Sequence, residues 1–200
     1  MQVVSTALKL VNRLDHRDKR VIFVEPSCGD GRIIIELLRI LSTSLLDPSV
    51  IGYDIDSSAI NRSIQNITKI QGRKLAPIFK CNNFLSTSLQ DLHQDLDLSN
   101  ESNHLTIVIG GPPYTPRDLP ERFIMHSIYE YSADVVVFIL PERCRKDADR
   151  IQKILNDKGR TQWYFVNRDL ANITFDFQGS LVMQPSFLQY WHHVKCEVVE

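Results

Sequence analysis

The chain has 200 residues, of which 43% are apolar, and its 23 basic and 24 acidic side chains leave a net charge of −1. That length suits one globular domain whose core is large enough to fold without disulfides or a structural metal. The near-neutral total offers no overall attraction for nucleic acid, so any basic binding face has to be local.

In chain order, apolar positions at Val4, Ala7, Leu8, Val11 and Leu14 predict a helix over Val3–Leu14, within an N-terminal helical segment 1–20. Val21–Val24 is a short buried strand and Gly31–Ser42 an apolar helix. Val50–Tyr53 is a second strand, followed by a helix over Ser57–Ile70. Pro77–Cys81 is a third, weaker strand. The segment 86–104, rich in Ser, Asp, Gln and Asn, reads as a flexible loop with room for a short helix. Leu105–Ile109 is a fourth strand and Leu119–Ser132 a helix. Val135–Leu140 is a fifth strand whose unbroken β-branched run suits a central position. A helix over Arg145–Lys158 is closed by Gly159. Thr161–Val166 and Leu188–Val194 are the last strands; with no helix between them, they are expected to pair antiparallel. No linker or repeat interrupts the pattern, so residues 1–200 form a single domain.

The four cysteines, Cys28, Cys81, Cys144 and Cys196, fit no CxxC or zinc spacing and read as reduced thiols, with no metal site expected. The first residues carry a helical apolar pattern, unlike a signal peptide, and no apolar run reaches membrane-spanning length. An intracellular location, cytoplasmic or nuclear, with no membrane partner, is expected. The dense basic stretches His16–Arg20 and Glu142–Arg150 read, each alone, as solvated faces.

Three motifs fall at successive strand ends. In Val21–Gly31 (VIFVEPSCGDG) a strand ends in an acid, and a turn with two glycines leads into a helix, the place where open α/β sheets bind ligands. Ile34 stands where a dinucleotide fingerprint needs its third glycine, and the loop lacks the GKS or GKT of a P-loop. In Val50–Asp56 (VIGYDID) an acid ends the second strand, where a carboxylate can accept hydrogen bonds from ribose hydroxyls. In Lys80–Leu85 (KCNNFL) Asn83 offers an amide oxygen to an adenine amine, and Phe84 packs either on the adenine ring or in the core. The fourth strand then runs into Gly110-Gly111-Pro112-Pro113-Tyr114.

The acid-x-x-x-Gly-x-Gly of Glu25–Gly31 resembles motif I of class I S-adenosylmethionine-dependent methyltransferases. The Pro-Pro-Tyr turn resembles motif IV of amino-group methyltransferases, (Asn/Asp/Ser)-Pro-Pro-(Tyr/Phe). That family includes N6-adenine methyltransferases of DNA and RNA and enzymes that methylate a protein glutamine amide. Together the likeness spans about residues 20–195. It implies a Rossmann-like α/β fold with a mostly parallel seven-stranded sheet, one antiparallel strand and helices on both faces. It also implies S-adenosylmethionine as cofactor, held by Glu25, Pro26, Ser27, Cys28, Gly29, Asp30 and Gly31, by Asp54 (with Asp56 second) and Ile55, by Asn83 and Phe84, and by Gly110. The reaction site is implied at Gly111, Pro112, Pro113 and Tyr114, and the substrate is expected to be adenine in nucleic acid, RNA before DNA. Leftover sequence for a target-recognition domain is lacking, which points to structured RNA, a protein substrate, a partner subunit or a chain that is a piece of a longer protein.

The first motif-IV position is Gly111, which has no side-chain acceptor. Three readings stay open: turnover with the Pro112 carbonyl and a water, an acceptor supplied by Asn82, Asn83 or Asp118, or a silent fold that binds RNA or a partner. Val135–Pro141 and the QPSFLQYW segment resemble the later strands of adenine-specific methyltransferases, which places Phe175, Phe177 and Gln178 near the substrate pocket or in the core. His192 and His193 face opposite sides of a strand end, and neither is assigned a catalytic role.

Overall fold

The computed structural model describes residues 2–14, 16–70, 75–98, 103–158, 161–170, 173–177 and 180–193. Seven strands form one sheet: β1 (Arg20–Glu25), β2 (Ser49–Asp54), β3 (Ile78–Cys81), β4 (His104–Gly110), β5 (Val135–Pro141), β6 (Tyr164–Asp169) and, later in the chain, β9 (Ser186–His192). Their order is β3-β2-β1-β4-β5-β9-β6. β9 runs antiparallel to both neighbours, with Val137 opposite Tyr190 and Asn167 opposite Gln189. β1 to β5 pair in parallel.

Alternation along the strands divides the core into two layers. Val135, Val137 and Ile139 of β5 face a cluster with α1 (Gln2–Val11), α2 (Arg32–Leu41) and α3 (Ser57–Thr68). Val136, Phe138 and Leu140 face the other, with α4 (Leu89–Asp95), α5 (Leu119–Tyr129) and α6 (Ala148–Lys158). Both faces of β5 are covered, which is why its sequence is apolar without a break.

Two expectations shift and one is filled in. The Arg145–Lys158 helix begins instead as a 3-10 turn, Glu142–Asp147, before α6 takes over; Gly159 lies outside the described residues. The segment 86–104 holds the short helix for which its sequence left room, α4, started by a capping box in which Ser88 and Asp91 exchange side-chain and backbone bonds. Between β6 and β9 stands an unanticipated antiparallel pair, β7 (Ile173–Phe177) and β8 (Ser180–Gln184). It leaves from the carboxyl rim of the sheet, because β6 ends and β9 begins there, opposite the end of β5. Gln178 lies outside the described residues.

Candidate active site

β1 and β4 are parallel neighbours, so the loops that follow them leave the sheet side by side. At Gly110 an added Cβ would stand 3.3 Å from Pro26 Cδ and 3.6 Å from Glu25 Cγ. The Glu25–Gly31 loop and the Gly111–Tyr114 turn therefore share one rim. The opposite rim carries His192, paired with Val135 at the start of β5, and His193, whose Nε2 is 3.2 Å from Asp134 Oδ1.

Backbone and β2 hold the first loop in place. The Cys28 N–H donates to the Tyr53 carbonyl (2.8 Å) and the Gly31 N–H to the Cys28 carbonyl (2.8 Å). Ser63 of α3 donates its hydroxyl to the Gly29 carbonyl (2.7 Å), and Asn66 its amide to the Asp30 carbonyl (3.1 Å). Gly31 caps α2 with φ 83°, a left-handed conformation that glycine adopts without strain. Gly52 in β2 lets the loop and helix close in: a Cβ there would lie 2.8 Å from Ile34 Cδ1 and 3.1 Å from Cys28 Cβ. At Gly29, by contrast, no described atom lies within 4 Å of a would-be Cβ, so the backbone is open on that side.

Glu25 ends β1 only 3% exposed. Burial, followed by the negative charge of Asp54, pushes its carboxyl well above the ordinary value; the Ile34 amide at the start of α2 pulls the other way. Its Oε2 has no hydrogen-bond partner among the described residues. Buried polar atoms are nearly always paired, so this oxygen calls for an explanation. Cys28, in the same loop, is buried with its thiol pushed up chiefly by burial, which makes it unreactive.

Asp54 accepts from the Gly29 N–H (2.8 Å, on Oδ2) and from the Asp56 N–H (2.9 Å, on Oδ1), tying loop and strand end together. Each oxygen keeps a second lone pair for a ligand hydroxyl. Asp56 caps α3 through the Ser58 N–H. Ile55 is 76% exposed on the same edge, an apolar surface beside the carboxylate.

Phe84 takes the second of its two expected places, and Asn83 is held in a local turn. Phe84 is 1% exposed and packs against Phe123, Tyr131 and His126, with ring centroids 4.7–5.5 Å away, so its ring belongs to the core and not to a cofactor face. The Asn83 Oδ1 already accepts from the Leu85 N–H (3.1 Å), because Asn83 caps a 3-10 turn. Asn82 Oδ1 likewise accepts from the Asn83 N–H. Of the three substitute acceptors for Gly111, Asp118 alone retains a side chain without a capping bond.

The second turn is held at its far end. Pro112 is buried and Pro113 exposed. The Tyr114 hydroxyl donates to the Ile139 carbonyl of β5 (3.2 Å), and Arg143 donates to the Tyr114 carbonyl. Burial pushes the Tyr114 hydroxyl up to about 12, so it stays protonated at neutral pH. At Gly111 no described atom lies within 4 Å of a would-be Cβ. Sequence reading missed Arg143 as a brace, since a basic residue in a charged run carries no sign of what it will reach.

No family model matches the sequence. Solved structures do share the architecture. An rRNA methylase from Streptococcus thermophilus aligns with 96% of this chain and 95% of its own, with a TM-score of 0.54 and 11% identity. Magnesium protoporphyrin IX methyltransferase from Synechocystis PCC 6803, solved with S-adenosylmethionine bound, aligns over 96% of this chain and 77% of its own (TM-score 0.55, 15% identity). The small RNA methyltransferase HEN1 aligns over 96% of this chain and 25% of its own (TM-score 0.63, 13% identity). The fold is that of class I S-adenosylmethionine-dependent methyltransferases: a seven-stranded mixed sheet with one antiparallel strand and helices on both faces. Among the described residues no helix is long and apolar enough to cross a membrane.

Proposed function

We propose that this protein is an S-adenosylmethionine-dependent methyltransferase acting on the N6 amine of adenine in nucleic acid, RNA before DNA. The observation that carries the reading is the adjacency of the Glu25–Gly31 loop and the Gly111–Tyr114 turn on one rim. The residues of the first loop fit the cofactor. The unpartnered Glu25 Oε2 suits a cationic α-amino group, the open side of Gly29 admits a chain against the backbone, and Asp54 with Ile55 suits a ribose and its base. When bound, the cofactor supplies an electrophilic methyl group on a sulfonium.

The second turn does the positioning. The Pro112 carbonyl accepts a hydrogen from the exocyclic amine, which raises electron density on nitrogen for in-line attack. The amine nitrogen would take up the methyl group that the bound cofactor supplies, with its surplus proton lost to solvent. Tyr114, fixed through its hydroxyl and its carbonyl, offers a rigid ring for the extruded base to stack on. Holding the two reactants in line accounts for much of the rate in such a transfer. The rRNA and small RNA methyltransferases among the similar folds support RNA as the substrate class.

Incubation with isotopically labelled S-adenosylmethionine and RNA or DNA pools, followed by nucleoside mass spectrometry, tests the reading. N6-methyladenosine is the expected product. Label on peptide glutamine, or none on any nucleoside, sinks it. A second reading, a silent fold that binds RNA or a partner subunit, draws on Gly111 and on the engagement of Asn82 and Asn83 in local bonds. It predicts cofactor binding with no transfer.

A further inference from the structure

A groove of about 540 Å³ lies between the Glu142–Asp147 turn and the edge strand β6. It opens on the rim that carries the Gly111–Tyr114 turn, since its Arg143 is the residue that braces the Tyr114 carbonyl. Its cations are not equivalent. Arg145 is neutralised by two carboxylates: it donates to Glu142 Oε1 and to Asp169 Oδ1, each at 2.5 Å, and its guanidinium lies 4.4 Å over the Phe187 ring. Lys146 is exposed and pairs with no carboxylate among the described residues, and Arg143 faces a carbonyl instead of an acid. Of the two lining carboxylates, Glu142 is taken by Arg145, which leaves Asp149, in the first turn of α6 where the helix dipole favours it.

The far wall is set by a relay whose direction is fixed. Trp191 Nε1–H donates to Gln189 Oε1 (2.9 Å), and Gln189 Nε2 donates to Asn167 Oδ1 (2.9 Å). An indole N–H can only donate. The Gln189 oxygen must therefore face Trp191, its nitrogen must face Asn167, and Asn167 is left with its two N–H donors directed away from the relay. Gln189 and Trp191 are fully buried on β9, so the relay is rigid. Beside Asn167 in the groove is the half-buried ring of Phe165. Two cations without a carboxylate partner and an amide offering only donors outweigh the remaining carboxylate, Asp149, and with the aromatic ring make a wall that favours anionic oxygens.

We propose that this groove binds a phosphodiester of the strand that carries the target adenine, with Lys146, Arg143 and the Asn167 amide on its oxygens and Phe165 beneath a neighbouring base. The proposal rests on the nucleic-acid reading above. It is tested by anisotropy with a labelled single-stranded RNA oligonucleotide over a range of salt, with S-adenosylhomocysteine affinity measured by calorimetry in parallel. Lys146→Ala weakens RNA binding and lowers the slope of log affinity against log salt by about 0.7. Asn167→Asp, which swaps donors for a charge at equal size, weakens it about tenfold or more. Arg150→Ala, at a cation held by Glu121 outside the groove lining, leaves RNA binding unchanged. None of the three alters S-adenosylhomocysteine affinity. Unchanged RNA affinity and salt slope in both groove variants, no RNA binding by the unaltered protein, or displacement of RNA by an acidic peptide but not by unlabelled RNA overturns the phosphodiester site. Groove-dependent RNA binding without methylated adenosine leaves the site standing and overturns the reaction assigned above.

Discussion

At Gly31, after β1, φ is 83° and an added Cβ would stand 3.0 Å from Ser63 Oγ; at Gly111, after β4, the same atom would meet no described neighbour within 4 Å. The first glycine is favoured by its left-handed backbone, and any side chain there presses on Ser63. The second stands in open space at the centre of the proposed chemistry, so packing does not require it to lack a side chain. Two turns on one rim thus use the same residue for different reasons, and substitutions separate them.

The largest effect is expected at the first turn. Gly31→Val imposes a left-handed φ on a β-branched residue and drives it into Ser63, costing about 2–5 kcal/mol in total from strain and overpacking. Chemical denaturation reads this as a large fall in the midpoint with cofactor binding lost. A loss under about 1 kcal/mol would mean that the loop relaxes and that the contrast with Gly111 is not one of geometry.

Glu25 sharpens the same contrast from the charge side. A carboxyl whose folded-state value is raised binds its proton more tightly in the native protein than in the unfolded chain. Its contribution to stability is full below the ordinary value of 4.5 and is lost as pH climbs toward the folded value. Glu25→Gln should stabilise the ligand-free protein at neutral pH, by about 1 kcal/mol or more, with a gain that vanishes in acid. The same change should weaken S-adenosylmethionine binding about tenfold or more, because a charge-assisted partner for the amino group is gone. In the unaltered protein affinity should rise as pH passes up through the Glu25 transition, and the variant should flatten that rise. Calorimetry with thermal melts across pH checks both signs; a variant that binds as tightly and melts no higher separates Glu25 from the cofactor.

What could be read in advance follows the same division. The five parallel strands and the turn at Glu25–Gly31 were legible because local rules determine them: unbroken apolar runs mark strands covered on both faces, and spaced glycines after a strand mark a tight turn into a helix. The place of Phe84 stayed open between adenine and core because a motif fixes position in the chain but not the direction of a side chain; its ring turns into a cluster supplied by α5 and Tyr131, more than thirty residues on. The Trp191–Gln189–Asn167 relay had no signature at all, since it exists only in the register of β6 against β9. The β7–β8 pair was hidden in a stretch whose aromatic content read equally well as core.

The smallest effect on stability, and the most informative on reaction, is expected at Gly111. The open space around it admits an asparagine, so Gly111→Asn should change stability by no more than about 0.5 kcal/mol. The Asn82 and Asn83 oxygens each accept one neighbouring backbone N–H, which fixes their direction, whereas an asparagine at Gly111 would stand in the turn itself. An enzyme working with the Pro112 carbonyl alone should gain from a second acceptor on the same amine, by about tenfold if the new hydrogen bond strengthens in the transition state by one to two kcal/mol. A silent fold should gain nothing, since its obstacle would lie elsewhere. Single-turnover transfer of labelled methyl to adenine-containing RNA, compared between the two proteins at matched cofactor occupancy, decides it. An unchanged or lower rate with intact RNA binding would assign Gly111 to a surface that serves recognition alone.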